Sequence, residues 1–137
     1  MKFFVSTACL LLLITTNGCT KDEGATQDID PRIKTLGTYT CQEKVITANP
    51  ITRTYPATFS LSGANSTDVL ATNMYSLGAS TTFPLALTNT TKFSFNSTLN
   101  NYQIVGNGEY TTNTITLYYK AIPTSGTTDS VVAIYTK

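Results

Sequence analysis

The chain contains no histidine and no tryptophan, and charged residues make up only 12% of it. Without histidine, nucleophilic triads that use an imidazole base and metal sites that use imidazole ligands are excluded. The Lys and Arg residues (9) almost balance the Asp and Glu residues (8), so the net charge is +1. Because binding to phosphates requires a basic stripe that releases counterions, this balance argues against a nucleic-acid partner.

Long apolar runs are also scarce, and the one that stands out covers residues 3–14, directly after Lys2. At about 12 residues it is too short to cross a bilayer of about 30 Å as a helix, so we expect residues 1–18 to be a cleaved signal peptide. The following Thr16-Asn17-Gly18-Cys19 resembles a bacterial lipobox, with Thr16 where leucine is usual. The resemblance implies acylation of Cys19, the palmitate-type lipid anchor of a lipoprotein, and several acyl chains hold a protein stably on a membrane. Plain secretion or a retained anchor is the alternative.

Three charged residues, Lys21, Asp22 and Glu23, follow this cysteine almost directly. The run resembles the lipoprotein export signal of Bacteroidota-type bacteria, which implies a place on the outer face of the outer membrane of a Gram-negative cell. The alternative is a solvated charge cluster without a targeting role. Residues 19–33 have many acidic and few apolar side chains, so we expect a flexible tether between the lipid and the folded domain.

The remaining residues, 34–137, have no helical periodicity and instead alternate polar and apolar residues in short segments separated by turn residues. Threonine (28 residues), tyrosine (8) and phenylalanine (6) are typical of β-strands. Eight strands are expected, the third reaching from Asp68 to Tyr75 and the fourth carrying Pro84 at an edge or bulge. Asn107-Gly108 favours a hairpin turn, but Gly106 and Gly108 on one face favour a continuous, sharply coiled strand, which we prefer.

These observations predict an all-β domain, a single antiparallel eight-stranded up-and-down meander that closes into a small barrel, with a β-sandwich as the alternative. Closure would remove the two exposed sheet edges, which are templates for aggregation. Several segments carry a family resemblance: residues 55–63, 69–75, 104–110 and 133–137. They resemble small uncharacterised Bacteroidota surface lipoproteins with lipocalin-like (calycin-type) barrels, and Gly37-Thr38-Tyr39 is similar in position to the Gly-x-Trp that opens lipocalins. The resemblance implies architecture and location, but no reaction.

Candidate chemistry in the domain is sparse. Cys41 would be the one cysteine left after signal cleavage and acylation, and its alternation with Tyr39 predicts a buried thiol without an activating base. We expect the four carboxylates of the domain to lie on loops or outer faces, which disfavours hydrolysis. These four are Glu43, Asp68, Glu109 and Asp129. No catalytic residue, metal site or cofactor is therefore predicted.

Two positions remain as candidate surface sites. Tyr118 and Tyr119 are adjacent in a strand, so one must point outward, and the shared parity of Ile115, Leu117 and Tyr119 assigns this role to Tyr118. An exposed tyrosine could contact a ligand or partner, or only a cross-strand neighbour. Ser130, in Asp129-Ser130-Val131, resembles a Bacteroidota-type O-glycosylation site.

The sequence thus predicts a lipid-anchored, non-enzymatic binding or interaction module, attached to the membrane by its acyl chains. Its partner would be a glycan, a small lipophilic ligand or a protein. An antigenic or structural coat lipoprotein is the alternative. The binding hypothesis predicts an open barrel mouth lined by polar and aromatic side chains, whereas the coat hypothesis predicts a packed interior and contacts through the outer face alone.

Overall fold

The computed structural model describes residues 28–47 and 49–137, and these form one β-barrel. The strands are β1 (Gly37–Ile46), β2 (Ile51–Leu61), β3 (Asp68–Thr72), β4 (Thr82–Leu87), β5 (Lys92–Leu99), β6 (Tyr102–Thr111), β7 (Thr114–Pro123) and β8 (Asp129–Thr136). Two short 3₁₀ helices, Pro31–Thr35 and Met74–Ser76, accompany them. In this part of the chain neither helix has the length or the apolar character to cross a membrane.

Every strand pairs antiparallel with the next, and β1 also pairs with β8, so the sheet closes on itself. The closing ladder runs from the pair Thr40 and Thr136 to the pair Ile46 and Ser130. The predicted eight-stranded meander barrel is confirmed, and the β-sandwich alternative is wrong. Closure leaves no long unpaired edge at the junction of the first and last strands, which is how a Thr-rich surface avoids edge-to-edge association.

Strict alternation of side chains decides which residues fill the barrel. In β2, Tyr55, Ala57 and Phe59 point inward and are buried, while Pro56 and Thr58 between them are exposed. Such period-2 alternation is what a sheet with one buried face requires.

Aromatic rings form the centre of the packed interior. Phe59 packs edge to face with Tyr39 and Tyr135, with 5.1 Å between ring centroids in each pair. This is a favoured geometry for aromatic contacts. The interior is therefore filled by side chains, as the coat hypothesis predicted. The open barrel mouth that the binding hypothesis predicted is wrong.

Strand β6 is continuous through Asn107 and Gly108, as we preferred, and its ladder with β7 runs from Tyr102 to Thr111. The glycines permit an unusually close approach to β7. A Cβ atom at Gly106 would lie 2.2 Å from the carbonyl oxygen of Tyr118 and 2.5 Å from Cβ of Tyr119. Only a residue without a side chain fits there, which explains why the strand can coil so sharply.

The third strand ends at Thr72 instead of the predicted Tyr75. Asn73 adopts a left-handed conformation (φ 59°), and so does Tyr75 (φ 56°), which breaks the extended chain. The Asn73 side chain stabilises the turn, because it donates to the carbonyl of Pro56 and accepts from the amide of Gly78. Asparagine tolerates this region better than other non-glycine residues, and this local effect is not visible in the apolar pattern of the strand.

Strand β4 is weakly joined to β5, since their ladder has only the pairs Ala86 with Ser94 and Leu87 with Phe93. Pro84 precedes this ladder and pairs with Leu70 of β3 on its other side. Its missing N–H therefore costs no bond to β5, in agreement with the predicted edge-like position.

The chain enters the barrel at one end, here called the entry end, where the helix Pro31–Thr35 contacts β2 and β3. Arg32 donates to the carbonyls of Asn65 and Asp68 in the β2–β3 region. The Tyr39 hydroxyl donates to the carbonyl of Thr35, which fixes the helix to β1. The helix begins inside the segment predicted as tether. The second 3₁₀ helix lies at the opposite end, here called the far end.

Candidate functional site

A buried carboxylate, Glu43, lies inside the barrel and is fully inaccessible to solvent. The hydroxyls of Tyr55 and Tyr119 both donate to its Oε2, at 2.5 Å each. The expectation that this residue decorates a loop or outer face is therefore wrong. Glu43 shares the parity of Tyr39, Cys41 and Val45 in β1, a signal that could have placed it inside.

The network continues from Glu43 to the far end of the barrel through Arg53. The guanidinium lies 3.5 Å from Oε1 of Glu43 and 5.0 Å from the ring centroid of Tyr75, and it also donates to the Tyr75 carbonyl. The Tyr75 hydroxyl donates to Asp129. These contacts hold the strained turn at residues 73–76 against the far end of the barrel.

The arrangement does not bring two carboxylates together as a hydrolytic pair. Asp129 lies four residues along β8 from Ala133, the ladder partner of Glu43. That separation puts about 14 Å between the two Cα atoms. Glu109 is on the outer wall in a pair with Lys92, and Asp68 is at the start of β3. Within residues 28–47 and 49–137, no cluster of metal-ligating side chains occurs.

Cys41 is buried next to this network, as predicted. Burial raises the pKa of its thiol from 9.0 to about 11. The thiolate needed for nucleophilic attack is therefore disfavoured at neutral pH. Nearby, the Tyr135 hydroxyl is buried and has no hydrogen-bond partner among the described residues, and burial raises its pKa as well.

The outer wall offers a different kind of surface around Tyr118, whose side chain is 51% exposed. It points outward from β7, as predicted from parity, and borders an open groove of about 560 Å³. We call this the Tyr118 groove. Its lining residues are Ile46, Val105, Gly106, Asn107, Tyr118, Tyr119, Lys120, Ser130, Val131 and Val132.

The strand register arranges the outward side chains of this wall in rows. One row runs from Lys44 through Val132 to Tyr118, and the next row contains Ser130 and Lys120. Neither lysine belongs to a salt bridge with any residue in the described part of the chain. The groove thus combines an apolar floor, an aromatic ring and the cation of Lys120, and Lys44 lies beside it as the ladder partner of Val132.

Ser130 is exposed in this same groove, at the start of β8, and its neighbour Asp129 points inward to Tyr75. Its glycosylation stays a prediction. Cys19, Lys21, Asp22 and Glu23 lie outside the described residues.

The fold and the wall together define a closed eight-stranded up-and-down β-barrel with a packed interior and a groove on its outside. The sequence matches no known protein-family model and no curated protein. Among solved structures, it is similar to a Bacteroides fragilis protein provisionally assigned to the outer membrane. The TM-score is 0.45 and the identity 15%, over 79% of this chain and 53% of that one. The chain thus spans about half the length of that protein.

Proposed function

We propose that the protein is a lipid-anchored, non-enzymatic binding module on the outer face of the outer membrane, and that it contacts its partner through the Tyr118 groove. The observation that carries the proposal is the contrast between the two faces of the sheet. The interior is filled by buried aromatic and aliphatic side chains, whereas the outer wall exposes a tyrosine in a groove of about 560 Å³. Recognition at an exposed aromatic residue is typical of interaction surfaces.

The lipid anchor is supported by the lipobox-like residues before Cys19. The helix Pro31–Thr35 is fixed at the entry end. A tether from Cys19 to this helix would attach that end toward the membrane. The walls and the far end would then be presented to the surroundings.

The absence of enzymatic activity is proposed from the chemistry of the polar groups. Glu43 is held by two tyrosines inside the barrel, and Cys41 is buried with a raised pKa. Neither group is accessible to a substrate, and access is a requirement for a nucleophile or a general base.

A coat lipoprotein is the second candidate, and the packed interior favours it, because a coat needs no internal ligand. The two candidates differ at Tyr118. A binding module has a specific partner that depends on this residue, whereas the outer-face contacts of a coat protein do not depend on it.

The anchor is tested by the variant Cys19→Ala in the native host. We expect the wild-type protein to incorporate labelled palmitate and to fractionate with membranes, and the variant to do neither. A second variant that replaces Lys21, Asp22 and Glu23 by alanine should keep the lipid but lose accessibility to protease added to intact cells. Lipid incorporation by Cys19→Ala would overturn the anchor, and unchanged protease accessibility of the triple variant would overturn the export signal.

The partner surface is tested by a photo-crosslinking amino acid at position 118 in living cells. Position 98 is the matched control, since Thr98 is also exposed on the outer wall but lies on β5, outside the groove. We expect an adduct from position 118 that position 98 does not give. No adduct, or the same adducts from both positions, would overturn the binding module in favour of the coat lipoprotein.

A further inference from the structure

We propose that the Tyr118 groove binds an anionic saccharide, a carboxylated glycan whose sugar ring stacks on Tyr118 and whose acidic groups pair with Lys44 and Lys120. This inference rests on the proposed function and adds the chemical class of the partner. It follows from three properties of the groove, namely its aromatic platform, its charge and the closure of the sheet beneath it.

The platform is the exposed side chain of Tyr118, with polar groups around it. Asn107 is its ladder partner on β6, and Ser130 lies diagonally across on β8. A tyrosine face covers the apolar face of a pyranose ring, while neighbouring amide and hydroxyl groups bond to the sugar hydroxyls. An aliphatic ligand would leave these polar groups unsatisfied.

The charge of the groove selects an acidic ligand. Lys44 and Lys120 lie two strands apart and are offset by two residues, so roughly 12 Å separates their Cα atoms. Glu109 also lies near Tyr118 on this wall, but it forms a salt bridge with Lys92, so its charge is balanced. Lys120 in the groove and Lys44 beside it therefore complement a ligand with carboxylates spaced along its length.

The closed sheet disfavours an extended peptide as the occupant. Strands β6, β7, β8 and β1 are joined by continuous ladders below the groove. No edge is free there to hydrogen-bond an added strand, which is the usual way in which sheets bind peptides. A saccharide uses ring faces and hydroxyls, and it needs no edge.

The test is isothermal titration calorimetry with residues 20–137, produced in a host that does not glycosylate Ser130. The protein is titrated with oligogalacturonate and, separately, with a neutral galacto-oligosaccharide of equal length. We expect binding of oligogalacturonate that weakens as salt is added, because exposed charge pairs are screened. The neutral sugar should bind at least about tenfold more weakly. The variant Tyr118→Ala should lower the affinity about tenfold or more, and Tyr118→Phe should retain it.

The contribution of charge is tested with the variants Lys44→Gln and Lys120→Gln. Each should lower the affinity for oligogalacturonate about two- to fivefold. Lys34→Gln, at the entry end, removes one cation outside the groove and should change nothing. Equal binding of the neutral sugar that still depends on Tyr118 would overturn the anionic class but leave the binding module standing. No saccharide binding, or tighter binding of polyphosphate or a polyglutamate peptide, would overturn the proposal that the ligand is a glycan. The crosslink at position 118 would then decide separately whether the groove has a partner.

Discussion

Glu43 shows what a single residue contributes in a barrel of this size. A buried carboxylate is costly unless hydrogen bonds compensate it, and here two tyrosine hydroxyls and one guanidinium do so. The two tyrosine donors depend in turn on the carboxylate, because without it the Tyr55 and Tyr119 hydroxyls would be buried without this acceptor. Glu43 is thus the centre of a polar network that specifies how the aromatic side chains pack.

Replacing Glu43 by alanine should therefore lower the free energy of unfolding by about 3 kcal/mol or more, since it leaves two buried hydroxyls unpaired and opens a small cavity. Glu43→Gln should cost less, because the amide oxygen still accepts one of the two bonds. Urea unfolding measures both. The control is Glu109→Ala on the outer wall, whose exposed pair with Lys92 should contribute less than about 1 kcal/mol. Equal losses for Glu43→Ala and Glu109→Ala would show that the network does not stabilise the barrel.

Ser130 carries a second prediction at this scale. In the native host, intact-mass measurement should show an added glycan that the variant Ser130→Ala lacks. Since Ser130 lines the Tyr118 groove, the attached sugar would occupy it. The glycosylated protein should then give a weaker crosslink from position 118 than Ser130→Ala does. A mass difference that equals the loss of the serine oxygen alone would exclude the modification.

Among the elements, β6 is the one whose geometry depends most on residue type. Gly106 and Gly108 point inward at neighbouring positions of one face, and each would place a Cβ atom within 2.4 Å of β7. The close contact of these strands brings Tyr118 to the outer wall beside Asn107. Gly106 is also one of the residues that line the Tyr118 groove.

The variant Gly106→Ala should destabilise the barrel by about 1–3 kcal/mol, because the carbonyl of Tyr118 is backbone and cannot move without shifting β7. Thermal unfolding followed by circular dichroism measures this loss. Gly63→Ala is the matched control, since no atom lies within 4 Å of its added Cβ and its φ is not positive. Its stability should stay within about 0.5 kcal/mol of wild type. A tolerated Gly106→Ala would mean that β6 and β7 can separate.

At the scale of the whole molecule, the packed interior should make the free energy of unfolding decrease at alkaline pH. Burial raises the pKa of Cys41 from 9.0 to about 11 and that of Tyr39 from 10.0 to about 12. Burial also raises the pKa of Tyr75 from 10.0 to about 12. A group whose pKa is higher in the folded state stabilises the fold fully below its unfolded pKa, and this contribution is lost as the pH rises through the folded pKa.

The free energy of unfolding should therefore be constant up to about pH 9 and fall between about pH 9 and pH 12. Urea titrations at successive pH values measure it. Cys41→Ala should remove the part of the decline that begins near pH 9, whereas the part above pH 10 should persist. A profile that is flat to pH 12 would show that the buried hydroxyls ionise without cost, against the packing described above.

The sequence alone determined the fold class, the order and approximate bounds of the strands, and the outward direction of Tyr118. These properties follow from local alternation and turn chemistry, which are written in consecutive residues. The lipid anchor and the export signal are predictions from short linear motifs near Cys19.

Only the tertiary structure decided that the interior is packed, that Glu43 is buried, and that Tyr118, Lys120, Ser130 and Lys44 share one wall. These residues come from β7, β8 and β1, and their adjacency depends on closure and register, which no single segment contains. The end of β3 at Thr72 likewise depends on bonds of Asn73 to Pro56 and Gly78. The alternation of polar and apolar residues predicts which face of the sheet each side chain points to. The cross-strand partners on that face depend on the closed barrel, because register couples all eight strands at once.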